Sequence, residues 1–479
     1  MHRRARRHPV PLLTAAVLVG AIVAGCSSDD DGSSASEAPP ASATADATAS
    51  GTGTPSPTES ALPLAEFPDT PAGQQARWVL EQLAAETGPD AQNAAERFSD
   101  VFLAEIPADQ VSATFDGLRE LGPFTPVEYS GDARQAMVEL VGSGSSRYRM
   151  SLGVDRDDAI SGLFVQPAAE APTVTSWSEF TAALSDTGAD VALYAARDDG
   201  GTWAPLHQTS PDELRPLGSM FKLYVLGAVQ RAVLDGDVNW DDTLTVTDEV
   251  RSLPSGELQD APDGAGVTVA EAAEKMISIS DNTATDMLID LVGRDSVEAA
   301  VADMGHHDPA AMQPFLTTGE FFRLGWTDPD LPDRWSDATV DERRSILADL
   351  PADISAVDVP AVTAEPRWES GIEWFAAPAD VAAAHRSLQE LASQDEADTV
   401  RDLLAVNSGL AIDAGDWPYV AFKGGSSAGV LAFSWYLENP DGIGHTLVVQ
   451  LRSDNPNAVA DQAYVTTVVQ QAFDLLADG

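Results

Sequence analysis

Apolar residues change their spacing several times along this chain, and each change marks a new element. Between Ala72 and Ala85, residues Ala76, Trp78, Val79, Leu83 and Ala84 recur at the three- and four-residue spacing of one helix face. Helices are also expected over Asp90–Leu103 and Ala108–Leu121, the latter with Pro107 as a first-turn proline. The period then falls to two, with strand-like runs at Thr125–Tyr129, Gln135–Gly142, Ser146–Leu152 and Ala159–Val165. Within the third run Arg147, Arg149 and Ser151 alternate with Tyr148, Met150 and Leu152, the pattern of a half-buried antiparallel strand. Helices followed by a meander predict a small α+β domain over about 64–170. It carries no carboxylate pair with a base, no metal spacing and no glycine-rich phosphate loop, and reads as a spacer or binding module.

After a proline-bearing joint at Pro167–Pro172, a second domain is expected over 173–479. A helix (Ser176–Leu184) precedes strands at Val191–Ala196 and Thr202–Leu206, and several helices fill the middle. Three strand-like runs return at 418–423, Val430–Leu437 and Thr446–Leu451, and one long helix, Ala458–Leu476, closes the chain. Strands from both ends enclosing a helical insert predict an α/β body with an antiparallel sheet flanked by helices, plus a helical lobe. The cleft between such parts is the expected active site.

The N-terminus changes the picture of where these domains live. Arg3, Arg4, Arg6 and Arg7 precede the apolar stretch Leu12–Val23, as in an export signal spanning 1–25. The sole cysteine follows in Val23-Ala24-Gly25-Cys26, which resembles a bacterial lipobox, so Cys26 is the expected lipidation site. Residues 26–62 hold almost no large apolar side chain and read as a disordered tether. The expected location is extracytoplasmic, on the outer face of the cytoplasmic membrane, with contact to that membrane through the lipid. With 76 acidic against 27 basic residues and a net charge of −49, nucleic acid is excluded as a partner. A monomer is expected, with no cofactor and no metal. His306-His307 lacks a third ligand at metal spacing and reads as loop surface.

Only three lysines occur, and two of them stand where burial makes a lysine costly. Lys222 lies in Gly218-Ser219-Met220-Phe221-Lys222-Leu223-Tyr224-Val225-Leu226, an otherwise apolar helical run. Ser219 would share a helix face with it, close enough for Lys222 to take its proton. The bland alternative is a capping serine beside a snorkelling lysine. Ser280-Asp281-Asn282 falls between a helix at Val269–Ile279, opened by a Thr268/Glu271 capping box, and one at Thr285–Leu291; alone it is simply a helix start. Lys423-Gly424-Gly425-Ser426 ends a strand, where two glycines admit a close substrate backbone and the lysine supplies positive charge. Alone it is a turn.

In this order the three segments resemble the SxxK, SDN and KTG motifs of the class A β-lactamases and penicillin-binding proteins. The flanking Met276–Asp286 and Trp374-Phe375-Ala376-Ala377-Pro378 are similar too, and the resemblance covers about 175–479. It implies a class A β-lactamase-like fold and an acyl-enzyme at Ser219. Lys222 would be the base, Ser280 the proton relay, Asn282 a holder of substrate and of Lys222, and Lys423 a tuner of Ser280 and attractor of a carboxylate. The N–H groups of Ser219 and Ser426 would form the oxyanion hole, with Gly425 beside them in the substrate site. Phe124-Thr125-Pro126 and the meander after it resemble the N-terminal domain of the serine hydrolase of clavulanic-acid gene clusters.

Two departures bear on activity. The stretch before Pro314–Glu320 offers no glutamate to activate a deacylating water, and Glu320 reads as a capping-box partner of Thr317. Gly424 stands where the family has Thr or Ser, removing a hydroxyl for a β-lactam carboxylate, unless Ser426 or Ser427 replaces it. The expected function is a lipid-anchored serine hydrolase acting on an amide or ester, a small molecule or cell-wall peptide, with weak β-lactam turnover. The alternatives are a D,D-peptidase or transpeptidase on peptidoglycan, and a non-catalytic binding lipoprotein that retains the fold.

Overall fold

The structure, a computed structural model, describes residues 67–479 apart from 86, 100–101, 104–105, 132–133, 144–145, 156–157, 169–170, 352 and 395–397. The expected signal segment, Cys26 and the 26–62 tether lie outside these residues. The described chain divides into two units that meet in sequence at Pro167 and Ala168.

In the first unit, Thr70 caps helix α1 (Pro71–Ala84) by accepting from Gly73 N, and the proline takes the position where a missing N–H costs nothing. Helix α2 (Ala91–Arg97), capped by Asp90, is shorter than its apolar pattern suggests. Phe98 leaves the helix to bridge to Ile160, and both side chains are buried. Pro107 caps α3 (Ala108–Arg119) from outside rather than lying in its first turn. Strands β1 (Thr125–Gly131), β2 (Gln135–Val141), β3 (Arg147–Val154) and β4 (Ile160–Pro167) form an antiparallel meander. Arg149 breaks the expected alternation: it is buried, because Glu139 sits opposite it in the register and accepts from its Nε at 2.7 Å.

The second unit opens with α4 (Trp177–Ser185), capped by Ser176, followed by β5 (Asp190–Asp198), β6 (Trp203–Thr209) and the two-residue β7 (Arg215–Pro216). A 3₁₀ turn, Gly218–Phe221, leads into α5 (Lys222–Asp235), whose residues Lys222–Gln230 are all buried. A helix apolar all round belongs in the middle of a core, and α5 is the axis of the helical lobe. Around it come β8 (Thr243–Thr245), β9 (Gly266–Thr268), α6 (Val269–Ser278), α7 (Asn282–Val292), α8 (Arg294–Asp303), α9 (Thr318–Trp326), α10 (Leu331–Ser336), α11 (Val340–Ala348) and α12 (Val359–Ala364). Then follow β10 (Phe375–Ala376), α13 (Pro378–Ala392), α14 (Thr399–Ala405), β11 (Tyr419–Ser427), β12 (Val430–Glu438), β13 (Gly444–Arg452), α15 (Gln462–Gln470) and α16 (Ala472–Ala477). The expected single closing helix is thus two, divided at Gln471. That side chain reaches back to accept from Val174 N at 2.7 Å and donate to Pro172 O at 3.0 Å.

The main sheet runs β11-β12-β13-β5-β6, antiparallel throughout, so both ends of this unit's sequence meet in it. Both faces are covered. Leu431, Phe433, Trp435, Leu437, Leu447 and Val449 pack on one side with α4, α15 and α16, while Ala421, Ala432 and Val448 join the helical lobe. The alternation therefore puts Lys423 on the lobe side with Ala421 and leaves Phe422 on the other. This is the class A β-lactamase-like arrangement, a sheet flanked by helices with a helical lobe, preceded by a small α+β unit.

Candidate active site

Three elements converge where β11 lies against the start of α5. Gly218 has φ +50, and a Cβ there would sit 2.4 Å from Ser426 N; one on Gly425 would sit 2.1 Å from Leu217 O and 2.7 Å from Ser219 N. All of these are backbone atoms, so no rotamer change makes room. The glycines let strand and turn press together, with Ser426 N close to Gly218 and Ser219 N close to Gly425. Phe221 anchors the turn by stacking on Trp374 at 3.7 Å between centroids. Ser219 is half-buried among buried neighbours, and neither cap of its turn uses a side chain, so the capping-serine alternative does not describe it.

Lys222 is fully buried and does not snorkel. Its Nζ donates to Ser280 O at 2.5 Å, Ser280 Oγ at 3.1 Å and Asn282 Oδ1 at 2.7 Å. Among the described residues no carboxylate touches it. Burial holds its pKa well below the usual lysine range, the nearby Lys423 pushes the same way, and Asp281 and Asp286 oppose them. Asn282 is fixed because its Nδ2 donates to Leu253 O at 3.0 Å, leaving Oδ1 for the lysine.

Ser280 adopts φ +59, a left-handed conformation that costs a non-glycine residue about 1–3 kcal/mol. The turn is held by Asp281, which caps α7 through Ala284 N at 2.8 Å and accepts from Glu257 N and Leu258 N at 2.7 and 2.9 Å. The result is a hydroxyl aimed at two ammonium groups. Lys423, 3% exposed, donates to Ser280 Oγ at 3.0 Å and to Gly424 O at 2.9 Å, and burial pushes it down to about 7. Behind the strand, Ser434 Oγ donates to Lys423 O at 2.9 Å and bonds to buried His385 at 3.0 Å. Two like charges around one hydroxyl favour loss of a proton from the pair. With Lys222 neutral, its two hydrogens can stay on Ser280 O and Asn282 Oδ1, which leaves its one lone pair for Ser219, one turn away, while Lys423 donates to Ser280 Oγ.

All the sequence-derived site residues of the second unit gather here: Ser219, Lys222, Ser280, Asn282, Lys423, Gly425 and Ser426. Asn282 opens α7, so the second motif is at once a helix start and part of this cluster. Glu320 forms both halves of the Thr317 capping box and pairs with Arg294 at 2.7 Å. Ser427 donates to Glu373 at 2.7 Å, so its hydroxyl is engaged, while Ser426 is exposed. At Gly424 the tip of the Phe422 ring lies 3.0 Å from where a Cβ would stand.

The histidine pair differs from expectation. His306 is buried, and the fold brings Asp380 to the pair, so a group of three potential ligand residues does form. The loop-surface reading missed this because Asp380 lies 73 residues downstream of His307. Its atoms are otherwise employed: His306 bonds Phe375 O at 2.8 Å and Asp308 N at 3.0 Å, and Asp380 caps α13 through Ala377 N at 2.9 Å. Sequence reasoning also passed over Glu373, which is buried and raised to about 7 by that burial. Nothing local marks it, since its partners Gly218 and Ser427 come from distant segments.

Among known families, residues 175–431 match the one described as Beta-lactamase enzyme family, and residues 67–160 match ORF 12 gene product N-terminal. No curated protein matches the chain. Similar solved structures include a β-lactamase from Sphaerobacter thermophilus, 22% identical, covering 63% of this chain and 99% of that one with a TM-score of 0.44. PBP-A is 16% identical over 65% of this chain and 100% of that one, TM-score 0.42, and an ancestral class A β-lactamase is 22% identical over 63% and 100%, TM-score 0.41.

Proposed function

Because the chain belongs to the β-lactamase enzyme family, whose match spans more than half of it, we propose that it is a serine hydrolase working through an acyl-enzyme at Ser219. The observation that carries this reading is the pair of buried lysines, Lys222 and Lys423, converging on Ser280 Oγ at 3.1 and 3.0 Å with no carboxylate partner among the described residues. A protein that only binds would gain nothing from that costly arrangement. In the proposed mechanism neutral Lys222 takes the Ser219 proton as Oγ attacks a carbonyl. The developing oxyanion meets the N–H groups of Ser219 and Ser426. The proton then passes through Ser280 to the leaving amine or alkoxide, while Lys423 and Asn282 hold the substrate.

Deacylation is the weak step of this scheme, since Glu320 is committed to its helix cap and to Arg294. That favours slow release of bulky acyl groups and keeps a D,D-peptidase or transpeptidase on cell-wall peptide as the second reading. Lipidation at Cys26, a flexible tether and an extracytoplasmic location complete the proposal; no described helix is long and apolar enough to cross a membrane. The resemblance to the serine hydrolase of clavulanic-acid gene clusters is part of the proposal and rests on Phe124-Thr125-Pro126 and the meander after it. The test is labelling with a fluorescent penicillin. A covalent band in wild type that is absent from Ser219→Ala supports the reading, and equal bands in both proteins would sink it.

A further inference from the structure

Glu373 belongs to none of the three motifs, yet it is wired into the backbone on both sides of the reaction centre. The side chain is 5% exposed, and among the described residues no cation pairs with it. Instead three donors converge on its carboxyl: Ser427 Oγ at 2.7 Å on Oε2, Trp374 N at 3.2 Å on Oε1, and the backbone N–H of Gly218. Gly218 immediately precedes Ser219, and Ser427 immediately follows Ser426. One carboxyl thus touches the neighbour of each oxyanion donor.

The surrounding chain reinforces this link. Leu217 N donates to Trp374 O at 2.9 Å, and β7 pairs with β10 through Pro216–Phe375 and Arg215–Ala376. The segment carrying Glu373 is therefore stitched along the approach to the nucleophile turn. Strand β11 reaches the same turn from the other side, close enough that Gly425 has no room for a Cβ. At Gly218 and Gly425 the facing atoms of turn and strand are backbone, and such contact resists compression but not separation. A group accepting hydrogen bonds from both pieces supplies the missing restraint, and a buried carboxyl with two oxygens has the right valence for it.

We propose that Glu373 is a positioning residue that clamps the Gly218–Ser219 turn to the Ser426–Ser427 end of β11 and so sets the spacing of the two oxyanion donors. This rests on the acyl-enzyme reading given above. It assigns Glu373 no contact with substrate. An amide can replace the carboxyl, because glutamine still offers one oxygen to the backbone donors while its NH₂ donates to Ser427 Oγ. Alanine cannot.

The experiment compares wild type, Glu373→Ala, Glu373→Gln and Ser427→Ala for acylation rate, substrate affinity, adduct lifetime and melting temperature, using an activated ester and a penicillin. Full loss of one oxyanion donor lowers rate roughly 10²–10³-fold. A loosened donor should cost less, so Glu373→Ala is expected to slow acylation about 10–100-fold with ground-state affinity little changed. Glu373→Gln should recover to within about threefold of wild type, and Ser427→Ala should lose several-fold without adding to Glu373→Ala. Should Glu373→Ala fail to fold, the contrast between Ser427→Ala and Glu373→Gln carries the same test. Wild-type acylation rates in Glu373→Ala or in Ser427→Ala would overturn the clamp. So would a Glu373→Gln protein that acylates normally but keeps its adduct far longer, since that makes Glu373 a deacylating base. A wild type that forms no Ser219 adduct removes the parent reading instead, and the clamp with it.

Discussion

Replacing Gly425 by alanine tests how closely strand and nucleophile turn must fit. The added methyl would lie 2.1 Å from Leu217 O, 2.7 Å from Ser219 N and 2.8 Å from Met220 N. Ordinary carbon contacts begin near 3.4 Å. Strand or turn must therefore retreat by about an ångström, because every obstructing atom is backbone. Overpacking of this kind costs about 1–3 kcal/mol, which a domain stable by about 5–15 kcal/mol survives. Catalysis should suffer more. An oxyanion donor works at about 2.7–3.1 Å, and a one-ångström retreat takes it out of range, worth about 2.7–4 kcal/mol or roughly 10²–10³ in rate. The assay is stopped-flow acylation by a chromogenic ester, with thermal melting alongside. Gly442→Ala serves as control: that residue has positive φ, +74, but has open space around it and lies in the turn between β12 and β13. It should lower the melting temperature and leave acylation unchanged. A Gly425→Ala protein that acylates within about threefold of wild type would refute the proposed fit.

Lys222→Ala should slow acylation roughly 10²–10⁴-fold, the range for a lost general base, and unchanged burst kinetics would remove that assignment. Gly424→Thr should lower KM for carboxylate-bearing substrates more than it changes kcat, provided the Phe422 ring yields; an unchanged KM with a lower melting temperature would show that the ring does not yield. The pH response follows from Lys423. Its folded pKa, about 7, is depressed from 10.5, so the unfolded chain binds more protons between those values and this group makes stability rise with pH there. Lys423→Met should therefore gain most over wild type at pH 7 and below, with the gain shrinking toward pH 10. Denaturant melts across that window check it, and a pH-independent gain would contradict the shifted lysine.

The parts of the site readable in sequence were those in which one residue is wrong for its surroundings. Lys222 in an apolar helix and Lys423 at the end of a strand announce themselves because burying an ammonium is costly. The Thr268/Glu271 and Thr317/Glu320 capping boxes were readable because all their atoms lie within four residues, and both form. What stayed hidden depends on partners far away in the chain. The apolar periodicity runs unbroken through Gln471, and only the reach of that side chain to Pro172 and Val174 accompanies the division of the closing helix. Arg149 looks like a surface residue until Glu139 is placed opposite it. Glu373, in Gly371-Ile372-Glu373-Trp374, carries no local signal at all; its meaning comes from Gly218 and Ser427.

The central claim is that Ser219 becomes covalently acylated, and time-resolved intact-mass spectrometry with peptide mapping tests it most directly. Mixed with a penicillin or an activated ester, the wild-type protein should gain one acyl mass, mapped to the peptide bearing Ser219. The penicillin adduct should outlast the ester adduct, and Ser219→Ala should gain neither. Complete turnover of either compound with no adduct at any time, or an adduct mapped to another residue, would contradict the account.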